Sequence, residues 1–387
     1  MRFAAFVLLS LASFPMPTLA ESGALPEIPT PAGPYGIGRI GYHWTDRSRP
    51  APRELMVYLW YPTSAKSATT RGAYLPGAKQ FDAAPATQTQ MRKAFGTRWP
   101  AILSGAIYSH AEESARPAKS PRRFPVVIFS HGNGSSGFHY TTLIEDLTSH
   151  GYAVASIEHT GVSMMVLFPD GGIVPFERTP PPIADGIGEG AADVRFALDQ
   201  LTKCNAGPAR EFLLAGRLEM NRAAAMGHSA GAEFAARACQ LDARLKACVD
   251  LDGGMVPIAA LPEYPDGATM RQPLLFLEAD HPTLPVSPAR AEAYYRKKEE
   301  QLQRCRPGSY NVILKSDGIA HPSFSDTPLL FSGEQGYPVT NVVRHNLELI
   351  ETFVRAFLDK VLRGTKSALL DGGQTQLPEA TLRRYGR

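Results

Sequence analysis

The chain has 387 residues, 44% hydrophobic and 20% charged, with a formal net charge of +3. That balance supplies a sizeable core and excludes an intrinsically disordered chain. One short basic stretch, Arg116 to Arg123, holds two prolines and no aromatic residue; it reads as a solvated linker, so no nucleic-acid partner is expected.

In chain order, the first feature is a leader. Met1-Arg2 precedes an apolar run from Phe3 to Phe14, and Thr18 and Ala20 are spaced as at a signal-peptidase site. Residues 1–20 are therefore expected to be a cleaved signal peptide, and the mature chain an exported one, periplasmic or secreted. The run is too short to span about 30 Å of hydrocarbon, and no later stretch is long and apolar enough, so no integral membrane segment is expected in the mature chain. Gly36 to Gly41 reads GIGRIG. It matches Gly-x-Gly-x-x-Gly, but no strand precedes it and no helical pattern follows, so it is not a dinucleotide site.

From residue 55 onward, short apolar runs alternate with helical patterns. Leu55 to Tyr61 reads as a strand closed by Pro62. Pro125 to Phe129, Ala153 to Ile157, Ala223 to Met226, Ala247 to Leu251, Leu274 to Glu278 and Tyr310 to Leu314 read as strands of a parallel sheet covered on both faces. Val194, Ala197, Leu198 and Leu201 recur at helical spacing, as do apolar residues from Asn341 to Gly364, where a glycine ends the pattern. Alternation of this kind predicts an α/β fold with a mainly parallel central sheet flanked by helices. Residues 21–387 are expected to form one domain with insertions near 71–123, 160–190 and 255–272. Each insertion is either a wall or lid of a site or a surface loop. Four cysteines, Cys204, Cys239, Cys248 and Cys305, in an exported chain lead to the expectation of one or two disulfides.

The chemistry gathers at Gly227-His228-Ser229-Ala230-Gly231, between an expected strand and an expected helix. A serine at such a sharp turn needs small neighbours two residues away, so that strand and helix can approach. The turn exposes its hydroxyl and aims the N–H of Ala230 at a developing oxyanion. A serine nucleophile needs a base. His321 is the best placed of ten histidines, in the loop after the Tyr310 to Leu314 strand and hence at the same sheet edge. His228 points elsewhere, His159 and His281 also follow strands, and His345 lies within a helix. The orienting acid is Asp252 or Asp280, each just after a strand, and spacing alone does not separate them. The loop after Phe129, "SHGNGSSGF", offers the N–H of Asn133 as second oxyanion donor. No compact metal-ligand spacing appears, and no cofactor or metal is expected.

"GPYGIG" (33–38), "LWYP" (59–62), "FSHGNGSSGFHYTTLIEDLTSHGYAVASIEH" (129–159), "GHSAGAEF" (227–234) and "LDGGMVP" (251–257), in that order, resemble the plasma-type platelet-activating factor acetylhydrolase family of α/β-hydrolases and its bacterial relatives. The resemblance implies a calcium-independent serine esterase that removes short acyl groups from phospholipid-like esters. It implies Ser229 as nucleophile, His321 as base, Asn133 and Ala230 as oxyanion donors, and Asp252 as acid, through the Leu251-Asp252 pair followed by Met255 and Pro257. The context "EADHPTLPV" around Asp280 is similar to that of the acid in polyester hydrolases and lipases. One departure is Ala232, where the family usually has a second glycine. The expected function is an exported serine esterase that hydrolyses small-molecule or lipid esters through an acyl-enzyme. The alternatives are a lipase or polyester hydrolase of the same fold, and a non-catalytic binding protein that kept it. The apolar stretch "SMMVLF" (163–168) suits a lipid-facing lip, a pocket wall or a core strand.

Overall fold

The computed structural model describes residues 25–64, 71–120, 123–177, 183–253, 270–280, 288–372 and 377–386. The expected leader, most of the 255–272 insertion and His281 lie outside these residues. The strands in order are β1 (Gly36–Asp46), β2 (Arg53–Thr63), β3 (Gly72–Ala73), β4 (Tyr108–Ser109), β5 (Ala111–Glu113), β6 (Phe124–Ser130), β7 (Ala153–Glu158), β8 (Met165–Leu167), β9 (Ile173–Pro175), β10 (Leu218–His228), β11 (Leu245–Leu251), β12 (Leu274–Ala279), β13 (Ser309–Leu314) and β14 (Ala380–Tyr385). The helices are α1 (Ala78–Ala83), α2 (Pro85–Phe95), α3 (Trp99–Ser104), α4 (Thr141–Ser149), α5 (Ile183–Ala206), α6 (Ala230–Leu241), α7 (Pro288–Gln303), α8 (Thr327–Leu330), α9 (Thr340–Arg363) and α10 (Ala368–Asp371).

Continuous apolar runs become central strands because both sheet faces are covered. β6, β7 and β12 are buried at every position. The main sheet runs β14-β13-β12-β11-β10-β6-β7-β2-β1-β5 among the described residues. Its centre, from β13 to β7, is parallel, while β2 runs antiparallel to both β7 and β1, β14 runs antiparallel to β13, and the edge strand β5 is parallel to β1. Helices α4 and α9, with α1 to α3, cover one face. Helices α5 and α6 cover the other, where Val194, Ala197, Leu198 and Leu201 are buried as their spacing predicts. Helix α9 ends at Gly364, whose φ of 71° suits a glycine C-cap. This is the α/β-hydrolase fold.

Several details depart from the sequence reading. β2 runs through Pro62 rather than stopping at it. β7 covers β2 only from Met56 to Trp60, so Pro62 owes no ladder bond on that flank. β10 begins five residues before Ala223, and its register shifts between Glu219 and Ala223. Residues 71–123 hold three short helices whose Phe81, Met91, Phe95, Trp99 and Ile102 enter the core. All four cysteines are free thiols, which corrects the expectation of disulfides. Cys239, Cys248 and Cys305 are instead small apolar side chains in one core cluster. No helix among the described residues is long and apolar enough to cross a membrane.

Candidate active site

The strand-to-helix turn between β10 and α6 has little room. A Cβ on Gly227 would lie 2.1 Å from the carbonyl oxygen of Gly231, and one on Gly231 would lie 2.2 Å from that of Ser130. No side chain fits either position. Between them, Ser229 adopts φ 54° and ψ −124°, a strained conformation for a non-glycine residue. Its N–H donates to Leu251 O at 3.1 Å, which stitches the turn to the end of β11. Ala232, the departure from the family pattern, is accommodated by a glycine: a Cβ on Gly253 would lie 2.2 Å from the Ala232 methyl carbon.

Asp252 follows β11 in a left-handed conformation, φ 49°. Its N–H donates to Leu277 O at 2.8 Å, and its Oδ1 accepts from the N–H of Ala279 at 3.0 Å. The remaining oxygen, Oδ2, lies 2.6 Å from Nδ1 of His321, which opens a 3-10 turn (His321–Phe324) after β13. The His321 side chain is 32% exposed, and Asp252 is buried. Asp280 is exposed and makes no hydrogen bond to His321 among the described residues; its own N–H donates to Leu314 O at 2.8 Å.

The loop after β6 passes over the elbow, where a Cβ on Gly132 would lie 3.4 Å from Ser229 Cβ. Its N–H groups are mostly spoken for: Gly132 donates to Tyr140 Oη at 3.1 Å, Gly134 to Val162 O at 2.9 Å and Ser135 to Gly132 O at 3.1 Å. The N–H of the exposed Asn133 has no acceptor among the described residues. Ala230, in the first turn of α6, has the free N–H that every helix start leaves.

The other histidines are occupied elsewhere. His345 pairs with Glu379 on the surface at 2.9 Å, and His159 is wholly buried between Ser130 and Asp193. His228 is buried with its ring centroid 4.5 Å from that of His321. Burial, reinforced by the neighbouring His321, pulls its pKa down to about 3, so its ring is neutral. Two further carboxyls near the elbow are buried: Glu233, which no sequence pattern marks, and Asp250, which reads from the sequence as a structural residue at a strand end. Burial raises Glu233, in the first turn of α6, to about 8, and raises Asp250 well above the ordinary carboxylate range. Of the "SMMVLF" stretch, Met165–Leu167 form β8 and Met164, Met165, Val166 and Phe168 are buried, while Met164 to Leu167 line a small cavity with Phe81 and Phe138. Among the described residues no cluster of histidine, cysteine, aspartate and glutamate could hold a metal.

Comparison with known proteins is consistent along most of the chain. The model of the family described as platelet-activating factor acetylhydrolase, isoform II, matches residues 21–168 and 210–341. A platelet-activating factor acetylhydrolase of Cavia porcellus is 23% identical over 392 residues, covering 92% of this chain and 84% of that one. A probable 1-alkyl-2-acetylglycerophosphocholine esterase of Arthroderma benhamiae is 22% identical over 381 residues, covering 91% and 92%. Among solved structures, a ferulic acid esterase from Streptomyces cinnamoneus superposes with a TM-score of 0.72 at 28% identity, covering 93% of this chain and all of that one.

Proposed function

Because the chain belongs to the family of platelet-activating factor acetylhydrolase, isoform II, and is a carboxylic ester hydrolase of that type, we propose that it works through an acyl-enzyme on Ser229. The strained elbow beside the 2.6 Å contact of Asp252 with His321 is the observation that carries this reading. Ser229 Oγ attacks the ester carbonyl while His321 Nε2 takes its proton. Asp252 accepts from Nδ1–H, which fixes the tautomer and stabilises the imidazolium. The carbonyl oxygen becomes an oxyanion held by the N–H groups of Asn133 and Ala230. Elimination supports Asn133, since the N–H groups on either side of it are already bonded. The intermediate collapses as His321 returns the proton to the leaving alcohol. Water, deprotonated by His321, then releases the acid and restores Ser229.

A short-acyl ester is the substrate we propose, a reading supported by the names of the matched relatives. A second reading, an aromatic acyl group, is favoured by the likeness to a ferulic acid esterase. Hydrolysis of p-nitrophenyl esters from acetate to palmitate, with methyl ferulate and Ser229→Ala alongside, separates them. Turnover confined to the short chains supports the first reading, preference for the ferulate supports the second, and a long-chain optimum indicates a lipase. A Ser229→Ala variant as active as wild type would overturn the mechanism. Export rests on the leader, and intact-mass analysis of protein from cell fractions tests it, with an N-terminus at Glu21 outside the cytoplasm expected.

A further inference from the structure

Ser229, His321 and Asn133 stand on three separate loops, after β10, β13 and β6. A reacting group misplaced by about 1 Å can cost on the order of 100-fold in rate, so something must hold these loops in register. The hydrogen bonds around His228 run between them, and each has a determined direction. Its Nε2 lies 3.1 Å from the carbonyl oxygen of His321. A carbonyl only accepts, so Nε2 carries the hydrogen. The ring is neutral, which leaves Nδ1 bare to accept. Nδ1 lies 2.8 Å from Tyr140 Oη, so the phenol donates to it, and the phenol oxygen in turn accepts the N–H of Gly132 at 3.1 Å. One chain of donors therefore runs from Gly132 through Tyr140 and His228 to His321. It begins one residue before Asn133 and ends on the main chain of the base.

Packing leaves these groups little freedom. His228 stacks on Phe324 with centroids 5.8 Å apart and planes 18° from parallel, while Tyr140 packs on Phe129 at 4.8 Å. Tyr140 and His228 are both buried. A Cβ on Gly132 would lie 3.2 Å from Tyr140 Oη and 3.4 Å from His228 Nδ1, so a side chain there would press on the phenol by a few tenths of an ångström.

We propose that Tyr140 and His228 are a coupled positioning pair that sets the oxyanion loop and His321 at a fixed separation across the elbow. The proposal rests on the mechanism given above for Ser229, His321 and Asn133. Neither side chain touches substrate. They act on the transition state through the residues they hold, so losing either lowers kcat and leaves KM nearly unchanged.

The test is steady-state hydrolysis of p-nitrophenyl acetate by the full mature chain and by Tyr140→Phe, His228→Asn, the double variant and Ser229→Ala, with thermal unfolding of each. Tyr140→Phe removes the hydroxyl alone. His228→Asn keeps an acceptor near Nδ1 but is too short to reach the His321 carbonyl. Each single variant is expected to lose about tenfold in kcat, with KM within about twofold. The double variant should be no slower than the slower single one, because the pair acts as a unit. Losses that multiply in the double variant would overturn the coupling. So would a lowered Tm with unchanged kcat per folded molecule, which marks a merely structural contact. Should His228→Asn not fold, Tyr140→Phe decides alone: unchanged kcat overturns the proposal, and lowered kcat at unchanged KM supports it. Full activity in Ser229→Ala would instead bring down the underlying mechanism, and the pair with it.

Discussion

Two sets of serine, histidine and aspartate sit at the carboxyl edge of this sheet, their serines at the ends of neighbouring strands; in both an aspartate bonds Nδ1 of the histidine, and they differ in burial. Ser130 ends β6, in register with Gly227 of β10, two residues before Ser229. Its Oγ lies 2.9 Å from Nε2 of His159, whose Nδ1 lies 2.9 Å from Asp193 Oδ2. All three residues are inaccessible to solvent. Arg49 and Arg53 also bond to Asp193, at 2.6 and 2.9 Å. Burial would raise Asp193, but its bonds to His159 and Arg53 prevail and hold it at about 2. Burial also drives His159 down to about 4 against the pull of Asp193, so its ring is uncharged at neutral pH. At the other set the serine is strained and half-buried, and the histidine is partly exposed. Under the proposed mechanism a Ser-His-Asp chain of bonds is not enough by itself. The set at Ser229 adds access from solvent and, at Asn133 and Ala230, two N–H groups without an acceptor among the described residues. The buried set instead anchors Ser130, from which the loop carrying Asn133 departs.

The sharpest way to break the contrast is to remove each serine. Ser229→Ala is expected to lose on the order of a million-fold in kcat toward p-nitrophenyl acetate, while Ser130→Ala keeps kcat within about tenfold and mainly lowers stability. Next come the acids. Asp252→Asn should cost about 10⁴-fold in kcat, whereas Asp280→Asn, with an exposed side chain, should leave it within about twofold; the reverse ranking would reassign the acid.

Removing the Asp193 charge takes away the buried carboxylate that Arg49, Arg53 and His159 share, leaving Arg49 with Asp46 and Arg53 with Glu189. Asp193→Asn is expected to lower the unfolding free energy by about 2 to 3 kcal/mol in urea titrations, a loss of stability rather than of chemistry.

The smallest effect is a pH slope. The folded-state pKa of His159 lies below its unfolded value, so the unfolded chain binds the proton first as pH falls. Its contribution to stability is complete above about pH 6.5 and is lost on descent to about 4, at about 1.4 kcal/mol per pH unit within that window. Urea midpoints of His159→Gln should accordingly vary less between pH 6.5 and 4 than those of wild type. Equal slopes would mean that His159 is not held neutral.

The catalytic edge was legible because its demands are local. Gly227 and Gly231 announce the elbow, since no Cβ fits beside it, and the apolar runs announce the central strands, since both faces are covered. The antiparallel flank was less legible. β1 carries Gly, His, Thr and Asp among its apolar residues, and β2 runs on through Pro62 to Thr63, where the sequence pattern suggested an end. The cysteine count misled because parity says nothing about distance, and three of the thiols are simply core atoms. Tyr140 left no motif, because its role lies in a hydroxyl reaching residues 88 positions away in the chain.

The sequence by itself determined the fold class, the nucleophile's turn and the strand ends from which an acid and a base could emerge, since steric and periodic constraints act between residues a few positions apart. Residue spacing left Asp252 and Asp280 level and only the family resemblance favoured Asp252; the tertiary structure bonds Asp252 to His321, leaves the N–H of Asn133 without an acceptor among the described residues, and separates the partly exposed Ser-His-Asp set from the buried one. Those outcomes depend on which side chains from distant strands point at one another, and hydrogen bonds of under 3 Å allow no tolerance that a one-dimensional pattern could encode.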